Sequence, residues 1–164
     1  MTVLAPVALR PPRASDRDRV EAIVRGTPLF RPDEAPVALE VFDDAVAGSA
    51  DYVSLVAVQA GEVVGWICWG PTPCTLGTWD LYWIAVDGAH QGTGVGSRLL
   101  AEMERQLAGR ARLIVVETAG RPDYEPTRKF YERRGYDVAA RITGFYAPDD
   151  DQVVYTKALT TARR

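Results

Sequence analysis

Apolar positions along the chain fall into blocks whose period switches between that of a strand and that of a helix. Residues 7–10 read as a short first strand. A helix follows to about residue 25, with Ser15 or Asp16 placed to cap it and Val20, Ile23 and Val24 on its apolar face; Gly26-Thr27-Pro28 ends it. A second helix is predicted over residues 33–47, with Val37, Val41, Phe42 and Ala45 at helical spacing and Gly48 as its stop. Residues 52–59 and 63–70 alternate as strands around a tight Ala60-Gly61 turn. After a Pro- and Gly-containing loop, residues 78–86 form another strand.

The second half of the pattern is more diagnostic. Val95, Leu99, Met103 and Leu107 recur every fourth residue, with Leu100 beside them, so a helix over residues 94–107 turns one stripe inward. Residues 112–118 are a near-continuous apolar run, as expected of a parallel strand covered on both faces. Strand, helix and strand make a βαβ unit with a right-handed crossover. Asp123-Tyr124-Glu125-Pro126 opens a short helix through Arg134, stopped by Gly135. Strands at residues 136–145 and 153–157 complete the sheet, joined by the turn at residues 148–151. The order is βααβββαβαββ, an α/β (α+β) architecture without repeats, linkers or low-complexity segments.

Composition narrows the function. The chain has 164 residues, enough for one domain with a real core, and residues 1–164 are expected to form a single domain. A net charge of −3 and the lack of a long basic block give no electrostatic footprint for nucleic acid. No stretch is long and apolar enough for a membrane span, and the N-terminal residues lack the pattern of a signal peptide, so a cytoplasmic location is expected. Cys68 and Cys74 are the only cysteines and His90 the only histidine; no metal site is expected. Cys68 reads as a core residue and Cys74 as a loop residue.

The candidate chemistry lies after the 78–86 strand. Gln91-Gly92-Thr93-Gly94-Val95-Gly96 joins that strand to an amphipathic helix. Such a turn points backbone N–H groups outward at the positive end of a helix, where a pyrophosphate can sit, and glycines let it approach. A P-loop would need Lys and then Ser or Thr after the last glycine, but Ser97-Arg98 follows. A Rossmann turn would need different glycine spacing.

Q-x-x-G-x-G after a strand resembles the coenzyme A loop of the GNAT superfamily of N-acetyltransferases. A second segment, Thr127-Arg128-Lys129-Phe130-Tyr131-Glu132-Arg133-Arg134-Gly135-Tyr136, is similar to that superfamily's F-Y-x-x-x-G-[FY] motif. The two motifs stand in the right order, and the likeness covers about residues 7–158. The resemblance implies the GNAT fold: a mixed central sheet of about seven strands with a splayed parallel pair, and about four helices. It implies acetyl-CoA as cosubstrate, with pantetheine pairing on the strand end at Ile84, Ala85 and Val86. The diphosphate then meets the N–H groups of Gln91, Gly92, Thr93, Gly94, Val95, Gly96 and Ser97. Arg98 either adds charge to the phosphates or is a solvated helix residue. Tyr124 occupies a position where the family often has a coenzyme-contacting Asn.

Acetyl transfer to an amine needs a neutral nucleophile, a stabilised oxyanion and a supported thiolate. The resemblance makes Asp80, on a strand of otherwise apolar and aromatic residues, the candidate for the amine's proton; pairing with an Arg or orienting a cationic substrate is the other reading. Tyr131 is the candidate general acid, with Phe130 turned into the core; a packing tyrosine is the alternative. Trp66, Trp69, Trp79, Tyr82 and Trp83 supply aromatics around the expected acceptor site, and Phe30, Arg31 and Asp33 lie in the segment that walls it in the family. The implied activity is N-acetylation of a small amine or a peptide N-terminus by direct attack. A non-catalytic acyl-CoA sensor, a transferase of another acyl group and an O-acetyltransferase are the alternatives, and homodimerisation is left open.

Overall fold

The computed structural model describes residues 5–159. Its strands are β1 (Ala8–Arg10), β2 (Val53–Gln59), β3 (Glu62–Pro71), β4 (Thr78–Val86), β5 (Leu113–Ala119), β6 (Asp137–Ala147) and β7 (Asp150–Ala158). Its helices are α1 (Arg17–Arg25), α2 (Glu34–Val46), α3 (Val95–Leu107) and α4 (Glu125–Glu132). The strands form a seven-stranded sheet in the order β1-β2-β3-β4-β5-β7-β6. β4 and β5 are parallel; β1 with β2, β2 with β3, β5 with β7 and β6 with β7 are antiparallel. No helix among the described residues is long and apolar enough to cross a membrane.

The described chain forms two compact units. One holds the chain up to Gly70 together with Trp83–Gln106; the other holds Pro71–Tyr82 and the residues from Leu107 onward. In the first unit, Val20, Ile23 and Val24 of α1 pack with Ala35, Ala38 and Phe42 of α2 over Val56, Trp66 and Cys68. The indole N–H of Trp66 donates to Ser54 at 2.6 Å, so its burial leaves no orphan donor. The neighbouring Gly65 faces the other side, where a Cβ would come within 2.9 Å of Val95 and 3.1 Å of Leu99. α3 therefore packs so closely against β3 that a side chain at position 65 would force Val95 and Leu99 to shift, and Val95, Leu99, Leu100, Met103 and Leu107 are all buried as their spacing predicts. The β2–β3 turn has Ala60 at φ 51 and Gly61 at φ 82, both left-handed, the conformation that matches the twist of a two-residue hairpin.

Three local expectations are corrected. The buried face of α2 is Ala35, Ala38, Leu39 and Phe42, an i, i+3, i+4, i+7 set one notch round from the expected stripe; Val37 is 52% exposed. Two alanines beside Leu39 and Phe42 let α2 sit close, so the valines Val37 and Val41 did not mark the contact. Asp16 does not cap α1. Its carboxylate turns back to accept the Arg13 N–H at 2.7 Å and pairs with Arg10 at 2.7 Å, tying β1 to the turn before the helix. β5 is not covered evenly on both faces: Ile114, Val116 and Thr118 are buried, whereas Glu117 on the other face is exposed.

Candidate active site

In the first unit, β4 ends at Val86 and Asp87 opens a turn over Gly88–His90. The Asp87 carboxylate accepts the Ala89 N–H at 2.9 Å, and its carbonyl accepts the His90 N–H at 2.8 Å. The Gln91 side chain donates to the Val86 carbonyl at 3.3 Å, and the Thr93 hydroxyl donates to that of His90. Gly92 and Gly94 hold φ of +74° and +90°, and a Cβ built on either meets nothing within 4 Å. Backbone conformation, not crowding, therefore demands glycine, and the space above is open. α3 begins at Val95, with its first helical bond from the Arg98 N–H to the Gly94 carbonyl at 3.0 Å. The N-terminal end of a helix, where the first amide N–H groups and the positive end of the dipole point outward, suits an anion. The residues fit a pyrophosphate. The Arg98 guanidinium donates to the Val7 carbonyl at 2.5 Å, which holds its charge against the N-terminal strand segment.

In the second unit, Asp80 is the third residue of β4. The Thr72 hydroxyl donates to its carboxylate at 2.6 Å, and the Tyr82 hydroxyl lies 3.5 Å from the same oxygen. Thr72 is itself fixed by its N–H bond to the Thr78 carbonyl at 2.9 Å. In the parallel register Asp80 pairs with Val115, so alternation puts Glu117 on the same face as Asp80 and Tyr82. Glu117 keeps an exposed edge, yet the desolvation from surrounding protein, reinforced by the Asp80 charge, pushes its pKa above the ordinary carboxylate range. The register runs to Leu81 and Val116, while β4 continues to Val86 and β5 to Ala119.

Tyr131 occupies α4, which starts with Pro126 in its first turn; beyond its end, Gly135 sits at φ +84. It is 3% exposed and packs at ring-centroid distances of 5.3 Å from Phe130, 5.6 Å from Tyr136 and 6.2 Å from Tyr155. Burial, with a smaller contribution from Tyr124, raises its phenol pKa well above the ordinary value, so the hydroxyl stays protonated at neutral pH. The expectation that Phe130 fills the core is corrected: Phe130 is half-buried under the Arg134 guanidinium, 3.7 Å from the ring centroid, and Tyr131 is the buried ring. A helix this short has one inward face, and Tyr131 takes it, against the rings of Tyr136 and Tyr155. Tyr124 is half-buried, with the Arg121 guanidinium 5.3 Å above its ring.

The family model for the acetyltransferase (GNAT) family matches residues 20–136. The chain belongs to the GNAT acetyltransferase family. Its seven-stranded mixed sheet with a parallel β4–β5 pair and four helices is the GNAT fold, and the protein is an enzyme of the transferase class. It is similar, at 38% identity and a TM-score of 0.89, to a putative acetyltransferase of the GNAT family from Desulfovibrio desulfuricans, over 94% of this chain and 100% of that one. NAA60 of Arabidopsis thaliana in complex with acetyl-CoA shares the fold at 19% identity and a TM-score of 0.77, covering 93% and 98% of the two chains. An aminoglycoside 6'-N-acetyltransferase complexed with coenzyme A does so at 18% identity and a TM-score of 0.77, covering 96% and 99%. A search of curated protein sequences returned no match.

Among the GNAT motif residues, Gln91 through Ser97 lie together as one loop and helix start, continuous with Ile84, Ala85 and Val86 at the end of β4. Asp80 and Tyr131 belong to the other unit, with Tyr124 beside Tyr131. Sequence reasoning missed the supports. Thr72 was hidden in a loop of ordinary composition. Glu117 did carry a signal, as the one charge in Leu113–Ala119. Arg19 and Asp87, paired in the first unit, are far apart in sequence and carried none. Of the aromatics, Trp66 and Trp69 are core, whereas Tyr82 is 40% exposed. Trp83 is half-buried, stacked on Trp66 and edge-on to Phe30.

Proposed function

We propose that this GNAT acetyltransferase moves the acetyl group of acetyl-CoA to the amine of a small molecule, with residues 1–164 acting as one domain and both substrates bound together. The observation that carries the reading is the open glycine loop, with Gly92 and Gly94 in left-handed conformation at the start of α3. The family neighbours solved with acetyl-CoA and with coenzyme A support it. Gln91, Gly92, Thr93, Gly94, Val95, Gly96 and Ser97 hold the diphosphate through backbone N–H groups. Ile84, Ala85 and Val86 offer strand-edge amides to pantetheine, an extended amide-rich arm that pairs as an added strand. Arg98, engaged with Val7, contributes through the general positive field rather than a dedicated contact. Tyr124 flanks the coenzyme beside Tyr131.

The coenzyme supplies an activated thioester. The amine nitrogen attacks its carbonyl carbon, the N–C bond forms, and the C–S bond breaks as the tetrahedral adduct collapses. Asp80, oriented by Thr72, takes the amine's proton directly or through water. Tyr131, kept protonated by burial, gives a proton to the departing thiolate. No covalent enzyme intermediate is required. A peptide N-terminus fits the same chemistry, and the acidic balance of the chain favours a cationic amine.

The test is a panel of amines and short peptides with acetyl-CoA, following release of free thiol. Amine-dependent release by a member of the panel, with acetylated product of the expected mass, supports the reading. Binding of acetyl-CoA with no turnover across the whole panel overturns it in favour of an acyl-CoA sensor.

A further inference from the structure

A loop built on Gly92 and Gly94 gains its shape at a high entropic cost, because glycine restricts its own backbone least. Something outside the loop must hold it. Arg19, on α1, has the geometry to do so. Its Nε donates to the Val63 carbonyl at 2.9 Å, and its Nη2 is paired with the Asp87 carboxylate. Asp87 in turn donates its own N–H to the Val64 carbonyl at 2.9 Å and receives the Ala89 N–H on its other carboxylate oxygen at 2.9 Å. The His90 N–H, on the Asp87 carbonyl, and the Thr93 hydroxyl, on that of His90, carry the constraint to the residue between the two glycines. A continuous series of bonds thus runs from α1 and β3 into the middle of the loop.

Charge gives the pair a second use. The Ala89 N–H bond, then Arg19, hold Asp87 below the ordinary carboxylate range and so ionised. An unneutralised carboxylate four residues before Gln91 would repel a bound pyrophosphate. The Asp87 side chain is 19% exposed, so solvent alone screens it incompletely.

We propose that Arg19 is a positioning residue for the coenzyme loop, fixing Asp87 and cancelling its charge so that the turn from Gly88 to Gly94 presents its N–H groups to the pyrophosphate. The proposal rests on the reading of this loop as the coenzyme site. It makes α1, which carries no motif residue, a determinant of coenzyme affinity.

Calorimetric titration of coenzyme A into the wild type, Arg19→Ala, Asp87→Asn and the double variant tests this, alongside steady-state kinetics. Arg19→Ala is expected to weaken binding about ten-fold, the size of one lost charged hydrogen-bond pair. KM for acetyl-CoA should rise by the same factor while kcat at saturation stays within about two-fold, a split that general loss of packing would not produce. The double variant should bind no more weakly than Arg19→Ala, because the two residues act as a unit. Arg19→Lys keeps the charge but cannot fork to both partners, and should fall between wild type and Ala; it carries the test if the Ala variant does not fold. Wild-type affinity in a folded Arg19→Ala or Arg19→Lys protein, or fully additive losses, overturns the proposal. A wild type that binds no coenzyme A overturns the loop reading itself, a result distinct from both.

Discussion

Asp80 and Tyr131 lie on opposite faces of the sheet in the second unit. Tyr131 packs on Tyr155, which pairs with Val116, which pairs with Leu81; each paired set shares a face. Asp80, one residue before Leu81, projects to the other side together with Glu117. If Asp80 receives the proton and Tyr131 supplies one, the amine is deprotonated on one face and the thiolate protonated from the other.

Asp80→Asn preserves shape and can still accept from Thr72, but it cannot take a proton. Turnover should fall by about a hundred- to ten-thousand-fold, the range for one acid–base group, with coenzyme affinity nearly intact. Wild-type turnover with an unchanged pH profile would return Asp80 to a structural role.

Tyr131→Phe keeps the ring among Phe130, Tyr136 and Tyr155 and removes only the hydroxyl. The melting temperature should change little, while acetyl transfer slows by about ten- to ten-thousand-fold. The deficit should shrink with a thioester whose thiol is more acidic, since that thiolate needs less help. Full-rate transfer when chemistry limits would make Tyr131 a packing residue.

Gly94→Asp places a side chain at φ +90 and a negative charge on the loop proposed to bind the pyrophosphate. The thermal shift produced by coenzyme A in the wild type should vanish in the folded variant, because a ligand stabilises only what binds it. Retained affinity would remove the pyrophosphate assignment.

Glu117 links the site to stability. Its folded-state pKa is raised, by desolvation from the neighbouring protein first and then by the Asp80 charge, so the native state holds the proton more tightly than the unfolded chain does. That contribution is fully present below the ordinary carboxylate value and is lost as pH rises through the raised one. Glu117→Gln, neutral throughout, should therefore be more stable than wild type at pH 7, by less than about 1 kcal/mol because the carboxyl retains solvent contact. The difference should disappear on acidification below the ordinary carboxylate range. Denaturant midpoints at the two pH values check both; a less stable Gln variant at neutral pH would show that the carboxylate makes a favourable contact instead.

Element type and order were legible because they are local. The four-residue stripe of α3, the apolar runs of β4 and β5, and the glycines after Val86 each act within a few residues, and family motifs sit on those same segments. Even locally, spacing alone misplaced one face: α2 buries Ala35, Ala38, Leu39 and Phe42 and leaves Val37 out, since the rotation of a helix about its axis is fixed by what it packs against. What tertiary structure alone decided is partnership. Asp16 turned from its helix to Arg10, Arg98 to the Val7 carbonyl, Arg19 to Asp87, and Glu117 came beside Asp80 only through the parallel register. A sequence states which charges exist. Their energies depend on distance and on solvent, and both are set only when strands distant in sequence are brought side by side.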